Sequence, residues 1–145
     1  MPENEGLEAR TADLTMKLEK FEREFLPQIQ ELAGQFEAAH GSQYDKPNLI
    51  RLQKMVKELG KLITLDNVTL LLRKLQPEES HVPLMDAWNA FLVGAKKVEM
   101  FRLPDRIGER RGQHFVQSHV AFKEGLAGLQ PTLDILFEII KKLSH

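Results

Sequence analysis

The sequence predicts an all-α fold, a single-domain bundle of five to six helices over residues 1–145. Three observations lead there. Apolar residues recur every three or four positions through most of the chain, the spacing that returns side chains to one face of a helix. No window combines period-two alternation with β-branched enrichment and hairpin turn chemistry, so no strand is expected. A chain of 145 residues that is 42% apolar and 28% charged can bury a sizeable core without a covalent staple.

The first element is expected to be long. Leu14, Leu18, Phe21, Phe25, Ile29, Leu32 and Phe36 form one stripe between Leu7 and His40. Pro27 falls inside it, removing a backbone donor and crowding the carbonyl four residues back, so the helix is predicted to kink there, or to divide into two abutting helices. The stripe stays in phase across the proline, which favours the kink. His40-Gly41-Ser42 supplies the stop. A second helix starts at Asp45 as N-cap, takes Pro47 in its first turn and runs to about Thr64 on Leu49, Leu52, Val56, Leu59 and Ile63.

Asp66 is the expected N-cap of a short third helix, with Val68, Leu70, Leu71, Leu72 and Leu75, which reads as apolar nearly all round. Gln76-Pro77-Glu78-Glu79-Ser80 closes it and divides an N-terminal group of helices (1–76) from a C-terminal group (77–145). Pro83 then suits the first turn of a fourth helix carrying Leu84, Trp88, Phe91, Ala95 and Val98. Leu103-Pro104 breaks it, and Asp105 to Gly112 reads as a polar loop. A fifth helix, Gln113 to about Leu126, is expected to end at Gly125 and Gly128, and a sixth to run from Pro131 to Leu143.

Charge narrows the function classes. Residues 1–40 hold nine acids and four bases, residues 41–76 three acids and seven bases, and residues 77–145 nine of each. The first two segments are complementary, so a basic second helix folding back on an acidic first one is expected. A net charge of −1 provides no global field for nucleic acid or anionic lipid. No cysteine is present, which excludes disulfides, thiolate metal sites and cysteine nucleophiles. With no secretory-type start and no run of about 20 apolar residues, a cytoplasmic protein without a membrane span is expected.

The candidate site is a cluster of Arg102, Arg106, Arg110, Arg111 and His114, since guanidiniums beside a glycine-flanked helix start can hold a phosphate or an acidic patch of a partner. No catalytic residue, metal site or cofactor is predicted. His114 and His119 lie five apart, which sets them about 140° from one another on a helix instead of on one ligating face. The run Ser118-His119-Val120-Ala121-Phe122-Lys123-Glu124-Gly125 resembles the phosphorylatable-histidine segment of histidine phosphotransfer domains, themselves small helical bundles. That pattern has its lysine three residues after the histidine, with a glycine next; here Lys123 is four on and Glu124 follows. The resemblance implies phosphate on His119.

Long apolar stripes, with apolar residues on two faces of the last helix, suggest more oily surface than one copy hides. The expected function is therefore protein–protein interaction without catalysis, as an adaptor, chaperone-like or regulatory module, with a homodimer among the expected assemblies. The alternative is a pocket protein holding a small apolar or anionic ligand near Arg106–His114.

Overall fold

The structure is a computed structural model and describes residues 2–40, 43–74 and 81–143. Helix accounts for 89% of the described residues and no strand occurs among them, so the fold is all-α. Six α-helices follow in order: α1 (Pro2–Glu24), α2 (Leu26–Ala38), α3 (Lys46–Leu62), α4 (Leu65–Lys74), α5 (His81–Met100) and α6 (Gln113–Leu143). A 3-10 helix, Ile107–Arg111, lies within the segment read as a loop. The expected closing turn at Gln76–Ser80 lies outside the described residues, as do Gly41, Ser42 and Leu75.

The first stripe is divided at one residue. Phe25 separates α1 from α2 yet keeps right-handed helical torsions, φ −115° and ψ −33°. Its N–H still donates to Phe21 O at 2.8 Å, and its carbonyl accepts from Ile29 N–H at 3.0 Å. Pro27 sits in the first turn of α2, where a missing donor costs least. Because the phase is kept, Leu14, Leu18, Phe21, Ile29, Leu32 and Phe36 all reach the core.

Two boundaries differ from expectation. Helix α4 begins two residues earlier than an Asp66 cap requires. Thr64 occupies the capping position, its Oγ1 accepting from Asn67 N–H at 3.3 Å and its carbonyl from Val68 N–H at 2.8 Å. Nor is α4 apolar all round in context. Val68, Leu70 and Leu71 are buried, while Asp66, Thr69, Arg73 and Lys74 face solvent.

The larger correction concerns the C-terminal half. The expected fifth and sixth helices are one helix of 31 residues, α6, with Pro131 inside it. At about 1.5 Å per residue it spans roughly 46 Å and forms the spine of the bundle. Gly125 is buried in mid-helix and ends nothing. A Cβ there would stand 2.8 Å from Lys97 Cβ and 3.0 Å from Gly94 O, so the glycine permits α5 and α6 to approach backbone to backbone. At the proline, Thr132 Oγ1 donates to Gly128 O at 2.7 Å, adding a local bond beside the donor that Pro131 lacks. Leu126, Leu129, Leu133, Leu136, Phe137 and Ile140 carry one buried face straight through this region.

Helices α5 and α6 run antiparallel and share the largest interface, and α1 and α2 also pack on α6. Phe21 stacks on Phe137 at 6.3 Å between ring centres, and Phe36 meets Phe122 edge-on at 5.9 Å. Among the described residues no ion pair joins α1 or α2 to α3. The polar bond that joins α2 to α3 is Arg51 donating to Gln28 Oε1. Glu22 pairs instead with Lys141 of α6 at 2.7 Å.

Helix C-termini expose carbonyls with no intrahelical donor. Here several are closed by side chains from other parts of the chain. Trp88 Nε1 donates to Ile63 O at 2.9 Å, and Asn67 Nδ2 to Leu62 O at 2.8 Å, both at the end of α3. Gln53 Nε2 donates to Val98 O at 3.0 Å and Phe101 O at 2.7 Å at the end of α5.

Candidate functional site

Of the four arginines expected to converge on an anion, Arg102 and Arg110 are engaged with backbone. Arg102 donates to the carbonyls of Glu99 and Phe101, closing the end of α5 from its own side. Arg110 reaches back through Nε to Pro104 O and through Nη1 to Tyr44 O, both at 3.1 Å, which pins the 3-10 segment to the start of α3. Arg106 is exposed. The side chains of Arg111 and His114 lie outside the described residues. A depression of about 570 Å³ beside Arg102 is lined by Met100, Glu109, Phe115 and Ser118, without Arg106 or Arg110, and it is open to solvent. Asp105 is paired with Lys46. The hydrogen bond and charge of that ammonium, with Arg110 beyond, hold the carboxyl below the usual carboxylate range.

The side chains with the most altered environment gather elsewhere, at the C-terminus of α2. Lys123 Nζ donates to Glu37 O at 2.6 Å and to Ala39 O at 2.8 Å. The Tyr44 hydroxyl lies 2.8 Å from Phe36 O and 2.7 Å from His119 Nε2. A carbonyl can only accept, so the single hydroxyl proton goes to Phe36 O. The oxygen then accepts from His119, which assigns the histidine its Nε2–H tautomer. Ala39 N–H donates to Gln35 O at 3.0 Å. Three consecutive carbonyls of the last turn, Gln35 to Glu37, are thereby satisfied, and the lysine charge sits where the helix dipole favours a cation.

Aromatic rings enclose this cluster. His119 stacks on Phe115 at 5.3 Å with 10° between planes, and Tyr44 meets Phe36 edge-on at 4.8 Å. Burial pushes the Tyr44 phenol well above its ordinary value. Burial first, then the charges of Lys123 and His40, pushes the His119 imidazole below its own. The histidine is therefore neutral near pH 7, with Nε2 carrying a proton directed at Tyr44. That atom is not disposed as a free nucleophile. The two residues behind the phosphotransfer resemblance, His119 and Lys123, both face the closed end of α2.

Tyr44 and Gln53 escaped the sequence reading. A signal for the first was present: it is the only tyrosine, an aromatic residue isolated in the polar link between two helices. Gln53 had none, because a glutamine beside a helix stripe looks the same whether or not it meets another helix end.

A different surface remains open along α3. This helix carries Lys46, Arg51, Lys54, Lys57 and Lys61 against one acid, Glu58. Depressions lie on both of its flanks. The first, about 550 Å³, runs between α1–α2 and α3 over Phe21, Phe25, Met55 and Leu62. The second, about 560 Å³, lies toward the end of α5 over Leu49, Ile50 and Phe101. Phe25 is 39% exposed and Ile50 53%, so part of each floor is uncovered apolar surface.

Among the described residues no cluster of three or more metal-ligating side chains occurs, and no helix is long and apolar enough to cross a membrane. Compared with known protein families, with curated proteins and with solved structures, the chain matches none.

Proposed function

We propose that this chain is a binding module that works by contact with another protein, without catalysis of its own. The observation that carries the reading is the basic ridge of α3 with an apolar-floored groove on each flank. Recessed aromatic and aliphatic side chains framed by charge are how one protein surface recognises another. A second observation supports it. The titratable groups best enclosed for chemistry, Tyr44, His119 and Lys123, are engaged in closing α2. Most of the long apolar stripe that suggested surplus surface is covered within one copy, so the homodimer draws little support from it.

The test is photo-crosslinking in cells, with benzoylphenylalanine placed at Phe25 or Ile50 and, as control, at Val120 on α6. Discrete adducts from the two groove positions, absent from the control, are expected. An adduct at twice the chain mass would identify the partner as a second copy. Equal labelling from all three positions, or none, would refute the contact reading.

A further inference from the structure

We infer that the groove between α1–α2 and α3 receives an acidic amphipathic helix of a partner protein; this rests on the binding-module reading above. Its two walls are helical and antiparallel, since Gln28 meets Arg51 at one end while Lys17 and Leu62 line the other. From Lys17 to Gln28, and from Arg51 to Leu62, each wall covers about 16 Å at 1.5 Å per residue, the length of three helical turns. Two parallel ridges with a trough between them form a seat for a third helix, which can lay its own ridge of side chains into the trough.

The floor determines which face of that helix points inward. Phe21 and Met55 are buried at the base, and the Phe25 ring, 5.3 Å from that of Phe21, is 39% exposed above them. An apolar stripe at three- and four-residue spacing covers it. The rim determines the flanking residues. Lys17, Lys20, Arg51, Lys54 and Lys61 surround the trough against the single carboxylate of Glu58. Lys17 and Lys61 pair with Asp13 and Glu58, both exposed, whereas Lys20 and Lys54 have no acidic partner among the described residues. Glutamate or aspartate beside the stripe meets these ammonium groups. A bilayer or a nucleic-acid duplex would touch the basic rim and leave the recessed floor wet, so the concave apolar base favours the helix.

The experiment titrates the isotope-labelled full chain with a capped synthetic peptide of about four helical turns, leucine on one face and glutamate on the others. A scrambled peptide of the same composition, phosphatidylserine vesicles and a short DNA duplex are run beside it. Saturable binding of the patterned peptide is expected, with amide shifts confined to the surroundings of Phe25, Lys54 and Leu62. Affinity is expected to fall about tenfold in a Lys20→Glu/Lys54→Glu variant and to weaken as salt rises, since exposed charges are screened. Lys96→Glu, exposed on α5 and outside the lining of the groove, serves as the control with unchanged binding. Equal binding by the scrambled peptide, stronger binding of vesicles or duplex through the same residues, or no saturation would overturn the proposal. Groove-specific crosslinks in cells without peptide binding would remove this occupant and leave the binding-module reading standing.

Discussion

Gly125→Ala and Gly128→Ala are expected to change stability in opposite directions, though the two sites lie three residues apart on one helix. Alanine is favoured over glycine by about 0.8–1 kcal/mol in a helix interior. At Gly128 nothing stands within 4 Å of a new Cβ, so most of that gain is realised. At Gly125 the same methyl would meet Lys97 Cβ at 2.8 Å and Gly94 O at 3.0 Å, both on α5 and neither the tip of a flexible side chain. Relieving the clash moves α5 and α6 apart, and overpacking of this kind costs about 1–3 kcal/mol. The net loss for Gly125→Ala is then about 1 kcal/mol, and the variants differ by about 2 kcal/mol. With a urea slope of about 1–3 kcal/mol per molar, their midpoints separate by roughly 1 M. The single tryptophan, Trp88, reports unfolding by fluorescence, since its indole is half-buried and bonded to Ile63 O. A Gly125→Ala midpoint at or above wild type would refute the close approach of α5 and α6. A loss at Gly128 would do the same for helix continuity, because a glycine ending a helix with positive φ loses about 1 kcal/mol on becoming alanine.

Two further outcomes concern the end of α2. Lys123→Met keeps the apolar stem but removes both carbonyl bonds and the favourable charge, for an expected loss of about 1–3 kcal/mol in thermal or urea unfolding, against almost none for Lys142→Met; equal effects would show that the ammonium does not close the helix. The imidazole of His119 lies below its ordinary value of 6.5 in the folded chain, so between the folded and unfolded values the unfolded chain binds more protons. Stability from this residue is complete above the unfolded value and declines as pH falls toward the folded one, below which it stays level. Urea midpoints between pH 7.5 and 5 are expected to fall less steeply in His119→Gln, and an unchanged slope would refute the assignment.

Much of the fold was legible because burial writes itself into spacing. The stripe from Leu14 to Phe36 predicted that Pro27 would not end the packing, and Asp45 and Pro47 marked the start of α3. The same in-phase argument, applied from Leu126 through Leu129 to Leu133, would have joined the last two helices. Gly125, Gly128 and Pro131 prevailed instead, since glycine and proline are usual stops. What glycine does at Gly125 depends on Gly94, which approaches it in space from 31 positions away. The arginine loop shows the same limit. Composition marked Arg102 and Arg110 as available donors, but whether a guanidinium faces solvent or a helix-end carbonyl depends on where α5 stops and where Tyr44 lies. His119 and Lys123 stood out for their resemblance to a phosphorylatable segment, and their role at α2 emerges only when α6 is laid beside it.

The side chains that seal the helix ends have a bearing on how this protein is best dissected. The indole that closes α3 comes from 25 positions away, the amide that closes α5 from 45, and the ammonium at α2 from 86. A fragment cut between α4 and α5 would carry α2 and α3 without Lys123 and Trp88, leaving frayed termini where the whole chain has closed ones. Mapping of a partner's footprint therefore calls for single substitutions in the intact protein, because truncation would unravel both edges of the α3 surface along with the part removed.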